Sequence, residues 1–128
     1  MATLQHPTSV RNAIADAVVD LIDAGTGAGK LIFYTSNTGT ALATLTLSDP
    51  AFGAAASGVA TAATITSNTD TGSGTVTWFK VVDSDDNIVF EGDVTDDDTG
   101  TGSIQLSSVA LGTGDTVSVS SLTYTAPN

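Results

Sequence analysis

The sequence predicts a mainly β protein, an antiparallel β-sandwich or jelly-roll-like fold with one N-terminal α-helix. Three observations lead there. The 128 residues include 22 Thr, 13 Ser and 13 Gly, a weighting towards strands and turns. Four Phe, two Tyr and one Trp are the only aromatics, so the core must be thin, built of Val, Ile and Leu, and suited to two layers. The apolar period also changes once, from about four residues to two, across the glycines of GTGAGKLIFY (residues 25–34).

Before that change, Val10, Ile14, Ala17, Val18, Leu21 and Ile22 recur at helical spacing, while Asn12, Asp16 and Asp20 fall between them. This predicts an amphipathic helix over 7–24. Pro7, Thr8 and Ser9 supply the start, as a first-turn proline and hydroxyl caps, and Gly25 supplies the stop. Asp23 opposes the helix dipole mildly.

Beyond the glycines the chain alternates. Leu31, Phe33 and Thr35 oppose Ile32, Tyr34 and Ser36, and Asn37 to Gly39 make a turn. In the next strand Ala41, Ala43, Leu45 and Leu47 share the core face, and Asp49 and Pro50 end it. AFGAAASGVATAA fits either a loop with close backbone contacts or a weak strand. After the turn SNTDTGSG, the run TVTWFKVV reads as the central strand, with Val76, Trp78 and Val82 on one face and Phe79 and Val81 on the other. A tight turn at SDDN pairs it with NIVFEGDV in a hairpin. Two further strands are expected, Ser103 to Ser107 and Thr116 to Thr125, separated by GTGD. In the last, a bulge near Ser120 and Ser121 would bring Val117, Val119, Leu122 and Tyr124 all to the core.

The chain fits a single domain, 1–128. Its 14 acids against Arg11, Lys30 and Lys80 give a net charge of −11, which speaks against nucleic-acid binding. An acidic surface favours solubility and basic or metal-bearing partners. The absence of cysteine removes disulfides, thiolate chemistry and sulfur-based zinc sites. The N-terminus lacks a basic start and continuous apolar run, and no 18 apolar residues run together, so the expectation is synthesis in a cytoplasm without membrane insertion.

GAGK does not make a phosphate loop, because Ala24 and Leu31 stand where a glycine and a hydroxyl residue are needed, and the helix precedes the strand. His6, the single histidine, lies in a terminal segment with no serine elbow to serve. No enzyme constellation emerges, no cofactor is expected, and solvated turn carboxylates account for the paired acids. Eight of the 14 acids fall within Asp83 to Asp98. Asp83, Asp85 and Asn87 imitate the first ligands of an EF-hand loop, but Ile88 and Val94 stand in place of its glycine and glutamate. Asp93, Asp96, Asp97 and Asp98 form the remaining calcium candidate, weighed against a solvated acidic loop. Trp78 is read as core, on its parity with Val76 and Val82, and not as a sugar platform.

The stretches LATLTLSDPAFGAAASGVATA, GTVTWFKVVDSDDNIVFEGDV and DTVSVSSLTYTAP resemble a family of small tailed-bacteriophage proteins whose nearest functional label is capsid decoration, or cement, protein. The resemblance spans about residues 30 to 126. It implies a non-enzymatic β-sandwich virion protein that sits on the capsid exterior, binds the major capsid protein and forms homo-oligomers. Residues 1–6 would then be an N-terminal arm, with Leu4, His6 and Pro7 the candidate contacts to capsid or protomer, ahead of the helix (7–24) and the sandwich (30–126). Strand edges would be a natural mode of assembly. The alternative from another class is a carbohydrate- or calcium-binding β-sandwich module of a phage fibre or surface adhesin, which exposed aromatics beside the acidic loop would favour.

Overall fold

A computed structural model describes residues 5–67, 71–96, 104–106, 109–117, 119 and 122–126. The protein is mainly β with a single N-terminal α-helix, α1 (Thr8–Asp20), extended by a 3₁₀ turn (Leu21–Asp23). The strands are β1 (Lys30–Tyr34), β2 (Ala41–Thr46), β3 (Val59–Thr61), β4 (Gly74–Thr75), β5 (Trp78–Val82), β6 (Ile88–Asp96), β7 (Ile104–Leu106), β8 (Ala110–Leu111) and β9 (Thr123–Thr125). A five-stranded sheet runs β2-β1-β5-β6-β7, and two small ladders pair β3 with β9 and β4 with β8. All pairings are antiparallel except β6 with β7.

The inner face of the large sheet is laid out in rows. Leu45, Leu31, Val81 and Phe90 form one across β2, β1, β5 and β6, and Ala43, Phe33, Phe79 and Gly92 form the next. Phe79 pairs with Gly92 and meets Phe90 edge-on at 6.2 Å between ring centroids. Helix residues Ala15, Val19 and Ile22 close the same hydrophobic cluster, together with Ala60, Leu111, Val117 and Leu122 from the smaller elements. The core therefore lies between the sheet and a second layer of helix and short ladders.

The helix spans what its period predicts, but faces differently. Its buried residues are Ala15, Val19 and Ile22, whereas Val10 and Leu21 are 40% and 56% exposed. The polar flank decides this rotation. Asn12 Oδ1 accepts the Gly58 amide at 2.7 Å, Asp16 Oδ1 the Ala55 amide at 2.8 Å, and Asp23 Oδ1 the Ala51 amide at 3.0 Å. Three side chains thus satisfy amides of the 51–58 loop, which a strand ladder would otherwise have to serve. Nor do Thr8 and Ser9 cap the helix: Pro7 is the N-cap, without a side-chain bond, and its carbonyl accepts Val10 and Arg11 amides at 3.0 Å.

Two parity expectations also fail. In β2 the register shifts between Phe33 and Tyr34, so Tyr34 faces Ala41 and Leu42 is skipped. Leu42 joins the core and Ala41 is exposed, a bulge exchanging their faces. In β5 the buried face belongs to Phe79 and Val81, and Trp78 is half-buried on the outer face; Val82 is still buried because the register shifts after Val81. Of the expected strand from Thr116 to Thr125, the described residues form β9 at Thr123–Thr125. Val117 and Leu122 are nevertheless buried, and Val119 and Tyr124 pack on the core; the expected bulge at Ser120 and Ser121 lies outside the described residues.

The GTGAGK joint is a close approach of backbones. A Cβ on Gly29 would stand 2.3 Å from Ile22 Cγ2 and 2.6 Å from the Val82 carbonyl oxygen, so only glycine passes between the 3₁₀ turn and β5. Lys30 then opens β1.

Candidate binding face of the five-stranded sheet

Alternation along each strand sends every second residue to the sheet's outer face. There, Tyr34 lies opposite Trp78, and Trp78 opposite Asp93. The neighbouring row is Thr44, Ile32, Lys80 and Glu91. Ile32, Tyr34, Trp78 and Lys80 are half-buried, while Thr44, Glu91 and Asp93 are exposed. The result is an aromatic pair where the two inner strands β1 and β5 meet at one end of their ladder, rimmed by carboxylates on β6.

The polar atoms of this face are organised. Trp78 Nε1 donates to Glu91 Oε1 at 2.8 Å, which fixes the indole plane. Lys80 Nζ stands 4.7 Å from the Tyr34 ring centroid, a cation over an aromatic face. Such an arrangement can bind through stacking and charge; it carries no nucleophile paired with a base.

The other sequence candidates fall elsewhere. Asp83, the one buried carboxylate among the described residues, accepts the Asp85 and Asn87 amides on Oδ1, both at 2.9 Å, and the Asn87 side-chain amide on Oδ2 at 3.1 Å. Those bonds hold its carboxyl below the usual carboxylate range, the Asn87 side chain contributing most. Its oxygens shape the β5–β6 turn, and no group of three or more metal-binding side chains occurs among the described residues. Asp86, at a positive φ of 68°, completes that turn and pairs with Lys30 at 3.1 Å. Of the calcium candidates, Asp93 belongs to the outer sheet face and Asp96 ends β6, whereas Asp97 and Asp98 lie outside the described residues. His6 is half-buried and Pro7 exposed at the head of α1, with Leu4 outside the described residues. Asp23 is pushed up by burial, against the pull of the Ala51 amide and with help from Asp49 and Asp20.

Tyr34, Lys80 and Glu91 are residues that sequence reasoning did not single out. The signal was present: Lys80 shares parity with Trp78, and a lysine two residues along marks a solvent face more firmly than Val76 and Val82 mark a buried one. No helix among the described residues is long and apolar enough to cross a membrane. Comparison with family models, curated proteins and solved structures finds no significant match to the chain.

Proposed function

We propose that this chain is a non-enzymatic structural virion protein, a head decoration or cement protein that binds the outside of a tailed-phage capsid and oligomerises there. One observation supports the reading above others. The three stretches that resemble the cement family supply β2 to β6 and β9, so the resemblance follows the β framework and not one loop. The partners are the major capsid protein and further copies of the chain. In the decisive experiment, purified protein is mixed with expanded, undecorated capsids and imaged by cryo-EM. Saturable density at symmetric positions is expected, and bare capsids at saturating protein would overturn the proposal.

The half-exposed Tyr34 and Trp78 beside Glu91 and Asp93 favour one second reading, a carbohydrate-binding module of a fibre or surface adhesin. Saturable binding of a neutral oligosaccharide, together with indifference to capsids, would establish it in place of the first.

A further inference from the structure

We propose that the outer face of the five-stranded sheet docks an arginine-bearing segment of a protein partner, with Tyr34 and Trp78 as the stacking floor and Glu91 and Asp93 as the charged rim. This goes beyond the virion reading and holds for any protein partner with such a segment.

The face already holds a cation. Lys80 Nζ sits 4.7 Å from the Tyr34 ring centroid, so the aromatic row is a seat for positive charge supplied by the chain itself. A guanidinium suits the neighbouring Trp78 better than an ammonium does, because it is planar, stacks on the ring and can fork two N–H groups onto one carboxylate. Glu91 is positioned for that role: its Oε1 is held by Trp78 Nε1 at 2.8 Å, so carboxylate and ring present themselves as one unit.

Charge complementarity points the same way. With 14 acids against three bases the chain carries −11, which attracts cations to the protein, and Glu91 and Asp93 place two of those acids on this face. Of the three bases, Lys30 is engaged with Asp86 and Arg11 lies against Gly58, leaving Lys80 as the base of this face. A neutral glycan gains nothing from that charge.

The chain's single tryptophan makes the test direct. The full-length protein is titrated with an end-blocked tetra-arginine peptide while Trp78 emission is followed, and the titration is repeated in high salt and with tetra-lysine. The expected result is a saturable change that salt weakens, with arginine bound more tightly than lysine. Glu91→Gln combined with Asp93→Asn should weaken binding roughly tenfold or more, whereas Asp20→Asn combined with Asp85→Asn, which removes the same charge elsewhere, should not. Lys80→Met should tighten binding by freeing the Tyr34 ring. Equal weakening in the two double variants would mean general charge attraction and overturn the proposal. Saturation of the same signal by cellohexaose, with no peptide response, would overturn it in favour of a glycan surface. Because neither titration involves a capsid, failure here leaves the cement reading standing, and the converse holds.

Discussion

Phe33 is fully buried in β1, with Ala43 on one side and Phe79 on the other. Its truncation to alanine should cost about 3–5 kcal/mol, the range for an aromatic removed from a packed core. Chemical denaturation reads that loss directly. Gly58 is a different kind of position. Its φ is +78°, and a Cβ there would stand 2.7 Å from the Arg11 guanidinium carbon, so Gly58→Ala combines backbone strain with a clash. The strain alone is worth about 1–2 kcal/mol. An alanine variant as stable as the parent would show that Arg11 swings away freely and the turn relaxes.

Two carboxylates make opposite contributions to stability as pH changes. Asp83 has its folded pKa lowered by Asn87 and Asp85, so its contribution is present above its unfolded value of about 3.9 and is lost as pH falls through the folded value. Asp23 has its folded pKa raised, so its ionised form costs stability, and that cost disappears as pH falls through the raised value. Asp23→Asn keeps an oxygen for the Ala51 amide while removing the charge. Its melting temperature should match or exceed the parent's at neutral pH, with the difference closing in acid. Asp83→Ala should melt lower at neutral pH, with the gap narrowing as pH falls through the lowered folded value. Melting curves across pH test both signs.

At the scale of elements, the helix is held as much by its polar flank as by its apolar one. Asn12 and Asp16 bind the Gly58 and Ala55 amides, so replacing both by alanine leaves two loop amides without acceptors, at about 1–3 kcal/mol each where water cannot reach them. Amide exchange should then quicken in residues 51–58 and α1 before it quickens in β1 and β5. Uniform acceleration would show that helix and sheet open together. The same contacts explain why helical spacing located α1 but mistook part of its buried face. Apolar spacing records where Val10 and Leu21 are, whereas the partners of Asn12 and Asp16 are 46 and 39 residues away in sequence. Strand parity failed for a related reason, since the shift opposite Leu42 adds one residue and turns every inference on the far side of it by one face.

For the whole molecule, fold class was legible from the sequence alone. One helix, a glycine joint, the hairpin of β5 and β6, and the placing of β5 at the centre of the main sheet all follow from local period and turn chemistry, which need only neighbouring residues. The phosphate-loop exclusion rests on the same local order, with the helix preceding the strand. Tertiary structure decided which face of β5 is buried, against the apolar parity of Trp78 with Val76 and Val82: pairing with Phe33 and Gly92 places Phe79 on the core side. It also decided that Tyr34, Trp78, Lys80 and Glu91 form one surface, since Tyr34 comes from β1, far in sequence from the hairpin of β5 and β6 that carries the other three. A chain writes its periods locally, but a binding face is a sum over strands, and register is what performs the sum.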